Sequence, residues 1–239
     1  MRALDYLDNL QDQESLIRTQ IWEVVSSDLV LNDHLSCVQD AMDHLTMLLQ
    51  VESNPGSKLH TFQLLAMRLF NSGGSTIKVG LSGYYQAGFQ LLRDALEVVN
   101  LLDLFRIDVT AVTRWVAVSD KKTAKEFNPF SVRQTLEKSP EFSGQRRDFI
   151  YSTYSDIALH PTYKGIGLMS SNGVPKLGPF FDLTLIRALL EDLATHLSHA
   201  TLTVSVLIDE DLPEEVMTSK SVFLQRLDAY HEKYIKSQK

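Results

Sequence analysis

Apolar side chains recur every three or four positions along most of this chain, which is the spacing of one face of an α-helix. In ALDYLDNLQDQESLIRTQIWEVVSS they fall at Leu4, Leu7, Leu10, Ile17, Ile21, Val24 and Val25. DLVLNDHLSCVQDAMDHLTMLLQV continues with Leu31, Leu35, Val38, Met42, Leu45 and Leu49, and SNPGS at Ser53–Ser57 ends the pattern with proline and glycine. A third helix is expected from about Ser57 to Phe70, broken by NSGGS. From Ser75 to Arg106 the chain is apolar with few interruptions, and Gly80, Gly83 and Gly88 weaken its first half.

Further helices are marked by their start signals. Asp108 is a candidate N-cap for DVTAVTRWVAVS, and NPFSVRQTLEKSP carries proline in its first turn. SGQRRDFIYSTYSDIALHP runs from Ser143 and stops before Pro161. The texture then changes. YKGIGLMSSNGVPKLGPFFD has two short apolar runs around Asn172-Gly173, a pair that favours the positive φ of a tight hairpin turn. Pro175 and Pro179 restrict the second strand to a short or edge position. A long helix starting at Asp182 and a last helix, VMTSKSVFLQRLDAYHEKYIK, close the chain. The expected fold is all-α: a helical bundle with one β-hairpin inserted around residues 163–181. Residues 1–52 read as an N-terminal helical hairpin and 57–239 as the bundle with its insertion, one compact domain overall. The first hairpin packs on the bundle or serves in dimerisation.

The central helix GYYQAGFQLLRDALEVVNLLDLF is apolar around most of its circumference, as a buried helix is. One seam stays polar: Gln86, Gln90, Arg93, Glu97 and Asn100, at spacings of four, three, four and three. Arg93 and Glu97 can pair directly across one turn. Charges on a buried helix are costly unless paired, so the seam faces solvent, a cleft or polar groups from elsewhere. YSDIALHP supplies such groups: Asp156 lies one turn before His160, and His160 closes the helix end, where a cation is favoured. His160 is then either an acid–base group or a cap that knits this helix to Arg93 and Glu97. The expectation is that Arg93, Glu97, Asp156 and His160 line one pocket or buried network roofed by the hairpin, with Trp115 and Tyr163 as aromatic walls and Lys164 and Lys176 close by.

Composition narrows the function classes. The chain has 239 residues, 44% hydrophobic and 22% charged, with net charge −7, so a broad basic face for nucleic acid is not expected. The lone Cys37 forms no intrachain disulfide and suits a reducing compartment; it reads as a half-buried helix residue. The N-terminus does not read as a signal peptide, and no run approaches the ~18 uninterrupted apolar residues of a membrane helix. A soluble cytoplasmic protein without membrane contact is expected. Asp40, Asp43 and His44 share one helix, and Asp192, His196 and His199 another. No Glu-x-x-His pair accompanies them, so they read as solvated faces, and neither metal nor cofactor is expected. FNSGGSTIKVG lacks phosphate-loop order, and no nucleophile elbow occurs. The basic clusters DKKTAKEF and GQRRDF, near Trp115, Phe127 and Phe142, read as solvated.

LLRDALEVVNLLDLF together with YSTYSDIALHPTYKG resembles a set of bacterial all-helical proteins of unknown function, similar to the DUF5677 type and remotely to HEPN-like domains. The matching positions are Arg93 and Glu97 in the central helix, then Ser155 (or Asp156) and His160-Pro161; the resemblance covers roughly residues 80 to 208 and leaves out the first 52. It implies a HEPN-like bundle. HEPN ribonucleases use arginine and histidine spaced R-x(4–6)-H across a dimer interface. The one strict match here is Arg226 to His231, and with eleven arginines and seven histidines roughly one match arises by chance. Two readings follow. The first is a non-enzymatic or regulatory interaction protein, a homodimer with a protein or RNA partner, whose Arg93–Glu97–His160 cluster is mainly structural. The alternative is a metal-independent HEPN-like ribonuclease in phage defence or a toxin system. Its histidine would be His160 or His231 and its phosphate-neutralising arginine Arg93 or Arg226.

Overall fold

The computed structural model describes residues 3–118, 121–144, 147–208 and 212–236. Ten α-helices are present among them. In chain order they are α1 (Ala3–Ser27), α2 (Leu29–Leu49), α3 (Lys58–Leu81), α4 (Tyr85–Ile107), α5 (Ala111–Val116), α6 (Lys121–Glu126), α7 (Pro129–Lys138), α8 (Arg147–Tyr154), α9 (Leu183–Leu207) and α10 (Glu214–Tyr234). One hairpin, β1 (Ser170–Ser171) with β2 (Val174–Pro175), lies between α8 and α9, so the chain is an all-α bundle with a single inserted hairpin. No helix among the described residues is long and apolar enough to cross a membrane.

Helices α2, α3, α4 and α9 pack on one another at the centre. Leu45, Leu69, Leu92, Leu102 and Val204 from these four are wholly buried there. α10 lies on α2, α7 and α8 lie on α4, and α1 lies across α2 and α3. α1 contributes Ile21 and Val25 to a smaller cluster with Leu31, Leu81, Tyr85, Ile186 and Leu190.

Several start signals hold. Asp182 Oδ1 accepts from the Thr184 and Leu185 amides at 3.0 and 3.1 Å, and Asn128 Oδ1 accepts from the Ser131 amide at 2.9 Å ahead of Pro129. The hairpin turns at Asn172 (φ 51°) and Gly173 (φ 75°), with Ser171 opposite Val174. Its strands are two residues each, preceded by a 3₁₀ turn at Lys164–Met169.

The expected break at NSGGS does not occur: α3 runs straight through it to Leu81. Glycine costs a helix roughly 1 kcal/mol relative to alanine, but here it allows close packing. A Cβ at Gly73 would lie 3.1 Å from Leu197 Cδ2 of α9. The break comes instead at Gly83 (φ +84°), where a Cβ would lie 2.6 Å from the Phe180 carbonyl oxygen. The helix expected from Asp108 begins at Ala111, and the one expected from Ser143 begins at Arg147. Residue 120 of DKKTAKEF and residues 145 and 146 of GQRRDF lie outside the described residues. Lys121 and Lys125 are exposed, whereas Arg147 is buried and not part of a solvated face.

Candidate functional site

The polar seam of α4 meets partners along its length. Gln86 and Gln90 donate to the Ala158 carbonyl at 3.3 and 2.8 Å. Arg93 Nε donates to Ser155 Oγ at 2.9 Å, its Nη2 donates to the Tyr151 hydroxyl, and its Nη1 lies 3.0 Å from Glu97 Oε1. The Tyr151 hydroxyl donates in turn to Glu97 Oε1 at 3.0 Å. Asn100 Oδ1 accepts from Arg147 Nη1 at 2.5 Å. The seam therefore closes onto α8 and the turn that follows it. That turn, Ser155–Leu159, is a π-helix: the His160 amide reaches back to the Ser155 carbonyl at 2.9 Å. The guanidinium carbons of Arg93 and Arg133 lie 4.4 and 3.7 Å from the Tyr151 ring centroid.

Of the expected quartet, Arg93 and Glu97 are joined and Asp156 and His160 are not. Both of the latter are exposed, and neither side chain hydrogen-bonds to the seam among the described residues. Pro161 ends the helix with His160 extended (φ −87°, ψ 144°), so the imidazole leaves the seam. The hairpin does not roof Arg93 either. It packs over the start of α4, where Gly83, Tyr84 and Gln86 face Met169 and Lys176. Trp115 packs edge-on against Phe105 at 5.8 Å and borders a small pocket with Glu97 and Asn100, away from His160, whereas Tyr163 is 91% exposed and walls no part of it. Arg226 and His231 are five residues apart on α10 and point to different sides. Arg226 pairs with Asp40 of α2, while His231 borders a cleft.

That cleft is where titratable groups converge. It lies between α4, α8, α9 and α10 and encloses about 270 Å³. Leu96, Val99, Ile150, Leu202 and Ile235 form its apolar walls. Three imidazoles reach it: His196 and His199 from α9 and His231 from α10. Behind them, fully buried Asp103 accepts from Arg147 Nη2 at 2.7 Å, from His199 Nε2 at 3.0 Å and from the Thr203 hydroxyl at 3.3 Å. Burial works to raise the Asp103 pKa, but the His199 hydrogen bond and the Arg147 charge outweigh it and hold the carboxyl below its ordinary range. Burial, with the His199 and Arg147 charges behind it, pushes His196 down to about 4, and burial also lowers His231. Both imidazoles are neutral at pH 7. No hydrogen bond to either is present among the described residues; His196 stands edge-on to the Tyr154 ring at 6.3 Å. Beneath it the Tyr154 hydroxyl donates to Asp192 Oδ2 at 2.5 Å, and burial lifts that carboxyl to about 6.

His196 is thus set into the cleft with Asp192 beneath it and not on a solvated face, His199 keeps 39% of its side chain in solvent, and His44 is not solvated. His44 is buried, with its ring nitrogens 3.0 and 3.1 Å from the Ser219 and Ser205 hydroxyls. No group of three or more His, Cys, Asp or Glu is arranged to hold a metal among the described residues. Cys37 is buried, and burial pushes its thiol up to about 12, far from a reactive thiolate. One signal for the cleft was present in the sequence. The polar seam continues one step beyond Asn100, at a spacing of three, to Asp103. Comparison with protein-family models, with curated proteins and with solved structures finds no match for this chain.

Proposed function

We propose that this chain is a non-enzymatic helical interaction protein that works as a homodimer. One observation carries the reading: the stretch around the hairpin exposes Leu159, Tyr163, Ile166, Met169, Val174 and Leu177, the last of them completely. So many exposed apolar side chains in one short segment mark a contact surface. From Ile157 to Phe181 there is no carboxylate side chain, while Lys164 and Lys176 both lie within it. Beside this segment runs α1, which carries Asp8, Asp12, Glu14 and Glu23 and exposes Leu16 and Trp22. The two are adjacent: Tyr84, next to the hairpin, donates to Glu14 at 2.9 Å, and Phe180 shares a core cluster with Ile17 and Ile21. A basic apolar segment beside an acidic helix is self-complementary under a two-fold axis, as an isologous dimer requires.

The ribonuclease reading draws support from His231 sharing a cleft with Arg147. Against it, Arg147 is committed to Asp103 and Asn100, and Arg226 faces Asp40. A phosphate arriving at His231 would find its nearest arginine already paired. The test is light scattering on wild type and on Tyr163→Asp/Leu177→Asp. Wild type should have twice the 27.0 kDa chain mass, and the variant should be monomeric with unchanged circular dichroism. A monomeric wild type would remove the proposal. RNA incubated with the protein in EDTA should stay intact; cleavage that disappears in His231→Ala would establish the alternative.

A further inference from the structure

We propose that the cleft between α4, α8, α9 and α10 binds a small uncharged aromatic molecule that hydrogen-bonds to the His196 and His231 imidazoles. The site is built from different residues than the hairpin surface, so it stands whether or not the chain dimerises.

The cleft has the makings of a binding site rather than a packing defect. Polar groups left open at the wall of a cleft meet water there, and a ligand that reproduces those hydrogen bonds can take the water's place. His196 and His231 each bring a ring with one donor and one acceptor nitrogen, and neither finds a partner among the described residues. Asn100 accepts from Arg147 through Oδ1, so its amide NH₂ remains to donate. These polar atoms are set among Leu96, Val99, Ile150, Leu202 and Ile235. An apolar pocket with a few convergent polar groups is the usual make-up of a small-molecule site. Four elements contribute to it, and the Asp103–Arg147–Asn100 hydrogen bonds tie α8 to α4, so the walls are held in advance of binding.

The same residues select the ligand's chemistry. Flat imidazole and phenol rings and branched apolar walls suit a planar ring. At about 270 Å³ the space takes one or two fused rings with a substituent and little more. Charge is disfavoured. The guanidinium at the back of the cleft is matched by Asp103, and His196 and His231 are neutral at pH 7. An anion entering here would lose its hydration, and the cationic groups it could meet, Arg147 and His199, already share the Asp103 carboxylate.

Benzamide and benzoate have the same shape and differ in charge, so they separate the two cases. The full-length protein is titrated with each at pH 7.5, following backbone amide shifts in ¹H–¹⁵N spectra. Benzamide should give saturable shifts on α4, α8, α9 and α10, and benzoate should bind at least about tenfold more weakly. Two variants locate the site. Leu202→Trp fills the cleft and should abolish the shifts. His231→Phe keeps the ring and removes its nitrogens, and should weaken benzamide roughly fivefold, the value of one net hydrogen bond. If Leu202→Trp fails to fold, judged by spectral dispersion, His231→Phe decides alone. Absence of saturable benzamide binding, benzoate binding as tightly, or unchanged affinity in a folded variant would each overturn the proposal.

Discussion

His44 shows what a buried imidazole does in this fold. Its Nδ1 lies 3.0 Å from Ser219 Oγ, its Nε2 3.1 Å from Ser205 Oγ, and Phe223 stacks on it at 5.2 Å. Burial, with the Lys220 charge second, pushes its pKa from 6.5 to about 4. The folded value lies below the unfolded one. The neutral ring therefore contributes stability that is fully present above pH 6.5 and is lost as pH falls through 4. A shift of that size corresponds to about 3 kcal/mol. Asp192 acts in the opposite sense. Its folded pKa is raised from 3.8 to about 6 by burial, so its contribution is present below 3.8 and lost as pH rises through 6. His44→Gln keeps a polar amide between the two serines and removes the titration. Urea unfolding at pH 7 and at pH 5 should show a smaller acid-induced loss in the variant than in wild type. Equal losses would mean that protonation of His44 is not what weakens the fold in acid.

Between residues and the whole lie the joints between helices, and Gly83 is the tightest of them. Its φ of +84° already disfavours any other residue, and a Cβ there would lie 2.6 and 2.7 Å from the backbone oxygen and nitrogen of Phe180. Gly144 has nearly the same φ, +82°, but among the described residues, its chain neighbours aside, no atom lies within 4 Å of the added Cβ. Gly144→Ala should therefore cost about 1–2 kcal/mol from backbone strain alone. Gly83→Ala should cost about 2–4 kcal/mol, because the clash adds to the strain. Thermal melts of both variants check the difference. Much at this scale was legible in the sequence where one local rule decides: the Asp182 cap, the proline of α7, the Asn172-Gly173 turn. NSGGS continues as helix because its effect is set by Leu197, a residue distant in sequence that needs the space Gly73 leaves. The seam on α4 was legible as a spacing, and so was the pairing of Arg93 with Glu97. Their partner Ser155 was in view only through its place ahead of His160-Pro161. Apart from the seam's continuation to Asp103 the cleft was not legible, since its three imidazoles and Arg147 meet only once α8, α9 and α10 have docked on α4.

At the scale of the molecule, the first two helices have unequal roles. α2 sends Leu31, Val38, Ala41, Leu45 and Leu48 into the interior with no exposure, and it packs on α3, α9 and α10. α1 buries Ile21 and Val25 over Leu31, Leu81 and Tyr85 and leaves its outer side to solvent. A chain that begins at Asp28 keeps the cap of α2, because Asp28 Oδ1 accepts from the Val30 and Leu31 amides at 2.9 and 3.1 Å. It loses the burial of about two large side chains, roughly 3–6 kcal/mol, which is a sizeable share of the ~5–15 kcal/mol by which folded domains are stable. It should still unfold cooperatively, with a melting temperature lower by roughly 10–20 °C. A chain that begins at Ser53 lacks α2 and opens the centre of the bundle. It should keep helix by far-ultraviolet circular dichroism but bind a hydrophobic dye and melt without a sharp transition. A cooperative melt of this shorter chain would mean that residues 1–52 form a separable unit. The Asp28 chain also reports on assembly. It has lost the acidic helix that the hairpin segment of a second copy would meet in the proposed dimer, so it should be monomeric at concentrations where the full chain is expected to pair. A dimer that survives loss of α1 would move the contact away from that helix.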